Sequence, residues 1–472
     1  MPQPNALPLA PHPDRLLPSE PSRRAVARRL LAHVADLPLV SPHGHIDAGI
    51  LARDEAFPDP AALLVTPDHY VTRMLYSAGV PLDRLGVRNP DADPREIWRL
   101  LCAHWHLFRG TPSRLWLESE LHDLFGVREQ PSAGNADALY DRITAALAEP
   151  ELRPRALYHR FNLEVLATTD NPWDDLADHR ALADDPSWKG RVAPTFRPDG
   201  VTDPERPDIA ANLRLLAEAS GIDTADYAGY LAALRDRRRH FLAHGASCTD
   251  HGVEAAGTAP LEASAAAEIY GKAYRGEPVT AAEGEAFRAH MLFESARMSV
   301  EDGLVMQLHP GVRRNHHRAV FEEFGPDTGC DIPVATEYTR ALQPLLNAFG
   351  REPGFTFVVF TVDETSFSRE IAPLAGHYPA MKVGAPWWFL DAPEAILRWR
   401  AAVTETAGFY NTAGFVDDTR AFCSIAARHD VARRLDCAYL SGLVAEHRLS
   451  EEEAAQTAAD LAHTLPKQVF RV

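Results

Sequence analysis

At 472 residues the chain is too long for one core of ordinary size, and points to a large α/β domain with insertions or to two or three domains. With 46% hydrophobic and 24% charged residues it reads as soluble and globular, and a net charge of −18 argues against nucleic acid or anionic membranes as partners. Five scattered cysteines without a CxxC pair argue against a zinc–thiolate site and predict a reducing, cytoplasmic setting.

Residues 1–21 form a proline-studded arm, mobile or lying on the surface, without the apolar segment of a secretory signal. No stretch approaches the roughly 18 consecutive apolar residues of a membrane span. From Ser22, the stripe Ala25, Val26, Leu30, Leu31 and Val34 predicts a helix. Leu37–Ser41 reads as a first strand, followed at once by His43-Gly44-His45. Residues 46–160 carry helical patterns punctuated at Pro58, Pro60, Pro67, Pro90 and Pro112, and read as a mostly helical insertion after that strand. From about residue 163, β-type runs alternate with helical stretches: Leu163–Thr169, Arg191–Phe196, Phe241–Ser247, Gly303–Leu308, Phe355–Val362, Ala380–Gly384 and Thr412–Val416. The Arg235–His240 run reads as a solvated helix end, and Glu254 to Arg297 as Ala/Glu-rich helix. With Leu37–Ser41 the runs make eight candidate strands. Eight strands alternating with helices predict a distorted, TIM-like (β/α)8 barrel over residues 22–45 and 161–472 rather than a doubly wound sheet.

In such a barrel the chemistry collects at the carboxyl ends of the strands. Those ends offer His43 and His45, Asp170, Arg197, Asp250 with His251, His309, Asp363, Lys382, and Asp418 with Arg420. Polar loops explain part of this set, but not the recurrence of histidine at three of eight ends. Residues i and i+2 of an extended segment leave the same face, so His43 and His45 can grip one divalent cation. Asp418 would be a hard third ligand, suiting zinc or manganese, and the same carboxylate can move a proton. A second such pair, His104-Trp105-His106, falls in the helical region, where i and i+2 do not share a face. Arg197 and Arg420 are candidate anion clamps, with a surface ion pair as the plainer reading of Arg420. Tyr70 is either an acid–base phenol or a helix-face aromatic, and Trp387 and Trp388 either wall a sugar pocket or fill the core. No P-loop, GxGxxG, GxSxG or HExxH is present.

Several short motifs occur in a telling order. They are His43-Gly44-His45, Asp68-His69-Tyr70, Thr169-Asp170-Asn171-Pro172, Arg197-Pro198-Asp199, His244-Gly245 with Asp250-His251, His309-Pro310-Gly311 with Arg314-Asn315, Trp387-Trp388-Phe389 and Asp418-Thr419-Arg420. From about residue 22 to the C-terminus, this pattern resembles the uronate (glucuronate) isomerases of the amidohydrolase superfamily. The resemblance implies a homo-oligomeric enzyme that interconverts D-glucuronate with D-fructuronate, or D-galacturonate with D-tagaturonate. It implies one divalent metal ion, zinc first and manganese or iron as alternatives, on His43, His45 and Asp418. It also implies that Arg197, Arg420, Tyr70 and His309 contact the hexuronate, with Asp170, Trp387 and Trp388 as further binding residues. The chain departs from the family at Ser41, usually acidic, at Phe196, usually tryptophan, and at Pro310 in the turn after His309. No lysine follows strand four and no histidine follows strand six, which fits a mononuclear site.

Moving a carbonyl from C1 to C2 requires a base for the C2 proton, stabilisation of a cis-enediolate, and return of the proton to C1. Asp418 or Tyr70 is the expected shuttle, with Arg420 and His309 beside them. A metal-dependent hydrolase or decarboxylase of a sugar acid is the alternative on the same scaffold, and a non-catalytic sugar-acid binder the third reading.

Overall fold

Parallel strands joined by helices organise this α/β chain in its computed structural model, which describes residues 7–472. Residues 1–6 of the expected arm lie outside the described residues. The rest of the arm is tied down against the body of the protein: Leu9 is buried and its N–H donates to Arg128 O at 2.8 Å, while Arg15 pairs with Asp430 at 2.5 Å.

Strands β1 (Leu39–Ser41), β2 (Leu163–Ala167) and β3 (Val192–Ala193) form a three-stranded parallel sheet in that order. Strands β4 (Thr195–Phe196), β5 (Cys248–Val253) and β6 (Val305–Pro310) belong to a second parallel sheet. Between its members fall β7 (Val312–Arg313) and β8 (Ile332–Pro333), a separate antiparallel pair. With β9 (Phe357–Val359) and β10 (Met381–Val383) the second sheet runs β10-β9-β6-β5-β4. Pro194 alone separates β3 from β4, and it has no N–H to continue a ladder. An isolated parallel bridge between Asp170 and Phe196 spans that break. β1 and β9 are buried along their whole length, as parallel strands covered on both faces must be.

Helix Pro21–Val34 precedes β1, capped by the Glu20 side chain, which accepts from the N–H groups of Ser22 and Arg23. Between β1 and β2 the chain forms helices, from Ala48–Arg53 to Pro154–Arg160, and no named strand. Their apolar faces make one core with β1 and β2 through Trp98, Leu101, Phe108, Leu163 and Leu166. A second core joins β6, β9 and β10 to helix Ala281–Asp302 and helix Pro393–Ala407. Among the described residues, no helix is long and apolar enough to cross a membrane.

Three sequence expectations need correction. Phe241–Ser247 is not a strand. Its first residues finish helix Tyr227–Ala243, the chain turns at Gly245 with φ +87°, and β5 starts at Cys248. The true strand hides because Thr249, Asp250 and His251 are buried polar residues, which erase the apolar alternation. Thr412–Val416 contributes only one parallel bridge, Val383 to Thr412. Within Arg235–His240, Arg237 and Arg238 are buried: Arg238 pairs with Asp302 at 2.6 Å, and Arg237 donates to Pro172 O at 2.8 Å.

Candidate active site

The ten residues given a metal-binding, substrate-binding or proton-transfer role in the sequence line one cleft of about 1480 Å³: His43, His45, Tyr70, Asp170, Arg197, His309, Trp387, Trp388, Asp418 and Arg420. Beyond β1 the chain stays irregular, and hydrogen bonds hold it. His45 N–H donates to Thr419 O at 2.9 Å, and Thr169 Oγ1 donates to Gly44 O at 2.8 Å. The two imidazoles therefore do not stand in register on one strand face; their rings meet nearly edge-on, 5.3 Å apart at 78°. They converge on one oxygen, with Asp418 Oδ1 3.6 Å from His43 Nε2 and 3.2 Å from His45 Nε2.

That oxygen is buried without a hydrogen-bond partner, and Asp418 sits at φ +38°, a strained backbone for a residue with a Cβ. Burial pushes the His43 imidazole down to about 4, so it stays neutral and able to ligate. Burial alone would raise the Asp418 carboxyl. The imidazoles of His45, His43 and His309 beside it outweigh burial and hold the group well below the carboxylate range. The ligand atoms of His43, His45 and Asp418 lie within 4.8 Å of one another. Two imidazoles and an unpartnered carboxylate oxygen are a donor set that fits zinc or manganese.

A second group shares His43, with Asp250 and His309. His309 Nδ1 donates to Asp250 Oδ1 at 2.6 Å, which leaves its Nε2 buried and without a protein partner. The ring is stacked on Phe360 at 4.1 Å and on His43 at 4.8 Å, with Trp387 edge-on at 4.8 Å. Asp250 also receives Arg197 Nη1 at 3.1 Å, and Arg197 Nε donates to Asp199 at 2.8 Å. Gly252 N–H donates to both Asp199 oxygens at 3.1 Å. A Cβ at Gly252 would come 2.7 Å from Arg197 Nη2 and push the guanidinium from this position. One buried carboxylate thus fixes both an arginine and a histidine.

Tyr70 enters from helix His69–Ser77, whose first turn is capped by Asp68 accepting Tyr70 N–H at 2.8 Å. Its ring meets Trp116 edge-on at 5.5 Å and lies 5.2 Å from the Arg428 guanidinium, so it both lines the cleft and packs in the core. Burial pushes the phenol well above its ordinary value, which makes it a hydrogen-bond donor rather than a base. Trp388 adopts φ +52°, and its indole N–H is buried without a partner. Asp170 accepts from Thr168 Oγ1 at 2.6 Å, and burial raises its carboxyl to about 7. Arg420 pairs with Asp327 at 3.3 Å at the cleft edge.

Two strand-end candidates stand outside the lining: Asp363 caps its own turn by accepting Thr365 N–H at 3.0 Å, and Lys382 donates to Tyr410 O at 3.2 Å. His104 and His106 lie 6.3 Å apart beside a 3₁₀ turn and join no metal-capable group among the described residues. The cleft also gathers Asp199, Arg314 and Asp327, which sequence reasoning gave no role. Asp250 was visible as a strand-end residue, whereas Asp327 lies in a loop without periodicity.

A family model described as glucuronate isomerase matches residues 22–470. The uronate isomerase of Rhizorhabdus wittichii is 55% identical over 467 residues, covering 99% of this chain and 100% of that protein. A crystal structure of glucuronate isomerase from Caulobacter crescentus aligns with a TM-score of 0.96 at 50% identity, over 98% of this chain and 97% of that one. A uronate isomerase structure from Thermotoga maritima aligns at 0.92 and 28% identity, over 98% and 99%.

Proposed function

The chain belongs to the glucuronate isomerase family, and on that premise we propose that it interconverts D-glucuronate with D-fructuronate, or D-galacturonate with D-tagaturonate, through a cis-enediolate. The observation that carries this reading is the meeting of His43, His45 and Asp418 with Arg197, His309 and Arg420 in one cleft. The hydrolase or decarboxylase alternative has no such family support.

A single divalent metal ion, zinc first and manganese or iron as alternatives, would be held by His43, His45 and Asp418 and would polarise sugar oxygens. Asp418, ionised and largely shielded from water, takes the C2 proton and returns it to C1. Tyr70, kept protonated by burial, donates to a sugar oxygen rather than acting as the base. Arg197, fixed by Asp199 and Asp250, faces the negative charge that develops on the enediolate. Arg420, at the cleft edge, takes the distal carboxylate. His309 presents Nε2 to a sugar hydroxyl, Asp170 binds beside it, and Trp387 and Trp388 wall the sugar.

The same proposal makes the two sheets arcs of one distorted (β/α)8 barrel over residues 22–45 and 161–472. Residues 46–160 form a mostly helical insertion that brings Tyr70 to the site. The sequential strand order, the Asp170–Phe196 bridge and the bond from His45 N–H to Thr419 O support that closure. A cytoplasmic homo-oligomer rests on the family resemblance and the cysteine pattern. The test of the chemistry is Asp418→Asn. Turnover of both uronates should fall about 10²- to 10⁴-fold while the circular dichroism spectrum stays unchanged; full activity in the folded variant would overturn the assignment.

A further inference from the structure

The arginine that the reading above gives to the substrate carboxylate already holds a carboxylate of the protein. Arg420 Nη2 lies 3.3 Å from Asp327 Oδ2, and Arg314 Nη1 lies 4.0 Å from Asp327 Oδ1. Arg314 is itself placed, paired with buried Asp331 at 3.1 Å and lying 5.0 Å from the Trp388 ring centre. Asp327 therefore stands between two cationic residues on the cleft wall, and the charge of Arg197 reaches it from further in.

A loop pinned at its base presents it. The segment between β7 and β8 is closed at its base by His316 N–H donating to Cys330 O at 3.0 Å and Asn315 N–H donating to Asp331 at 2.7 Å. Two residues past Asp327, Gly329 at φ +82° abuts helix His69–Ser77, where a Cβ would come 3.0 Å from Arg73 Cβ. Asp327 itself is held at φ +61°. The base of the loop is pinned, but the pair it makes is not sealed: the side chains of Arg420 and Asp327 are 37% and 44% exposed, so water or another carboxylate can reach them.

We propose that Asp327 is a specificity determinant, an internal carboxylate that occupies the Arg420 and Arg314 side chains until the carboxylate of a uronate replaces it. Two consequences follow from its charge. A neutral aldose offers nothing to exchange for the Arg420–Asp327 pair, and the pair remains. Small inorganic anions must displace a tethered carboxylate without gaining the sugar hydroxyl contacts, so the guanidinium is protected from them. The cost is weaker binding of the true substrate, because an exposed ion pair of modest strength must be broken first.

This inference rests on the isomerase reading, and one experiment separates the two. The full-length, metal-loaded enzyme is assayed for ketose formation from D-glucuronate and D-galacturonate beside Asp327→Asn, which keeps the shape, and Asp327→Gly, which suits the positive φ. The expected result is a KM about two- to fivefold lower in both variants, with inorganic phosphate inhibiting them at lower concentration than it inhibits the parent. A KM that is unchanged or higher in both folded variants, with the parent active, overturns the role of Asp327. A parent that forms no ketose from either sugar overturns the isomerase reading itself.

Discussion

Replacing Glu120 by glutamine should stabilise the protein in a way that depends on pH and on little else. Glu120 opens a single π-type turn, Glu120–Leu124, at the end of helix Pro112–Ser119, and its side chain is buried. Burial, reinforced by Asp68 and only partly offset by Arg428, pushes the carboxyl from 4.5 up to about 8. A carboxyl whose folded pKa is raised favours the protonated form. Its contribution is therefore intact below pH 4.5 and is lost as pH rises toward 8. At about 1.4 kcal/mol per pH unit, the loss reaches roughly 3 kcal/mol at neutral pH and about 5 kcal/mol once the group is ionised. Glutamine keeps the shape and cannot ionise. Asp170 and Asp391, raised by burial to about 7 and 6, titrate in the same interval, so only the difference between variant and parent isolates Glu120. Urea unfolding at several values from pH 5 to 9 should show the two proteins close together in acid. The gap should widen with pH and level off above about 8. A gap of constant size would refute the reasoning, because it would place the effect in packing rather than in ionisation.

Two further outcomes are expected. Arg238→Ala should cost about 3–5 kcal/mol, because it strands Asp302 beside a desolvated cavity, whereas Arg239→Ala should change stability by less than about 0.5 kcal/mol. The side chains are 1% and 67% exposed, and equal effects in chemical denaturation would contradict the buried pair. His45→Ala should leave a folded protein that loses its zinc on dialysis, read by elemental analysis against the parent; undiminished zinc would remove His45 from the ligand set.

What the sequence disclosed and what it concealed have physical causes. β2, β6 and β9 stand out because apolar residues dominate their runs, as in LEVLA and FVV. β5 does not, because after Cys248 the residues it buries are Thr249, Asp250 and His251, polar groups that serve the site and one another. The two-residue spacing of His43 and His45 marked a cation grip. The chain beyond β1 is nevertheless not a strand, and it is hydrogen bonds from Thr169 and to Thr419 that aim the rings. Arg238 sits in a charge run that reads as solvated because its partners, Ser299 and Asp302, come from a helix far along the chain. Asp327 left no trace at all: a loop aspartate has no period, and its two arginines are adjacent only in three dimensions.

The most direct test of the central claim follows hydrogen itself. D-Glucuronate and D-galacturonate are each incubated with the metal-loaded protein in D2O and monitored by proton NMR. An isomerase that passes the C2 proton through a carboxylate gives the ketose from at least one sugar, with deuterium entering C1 of the product and C2 of the recovered aldose to the extent that the carboxyl exchanges its proton with solvent before returning it. Sugars that remain unchanged, or that lose carbon dioxide without forming a ketose, would contradict it.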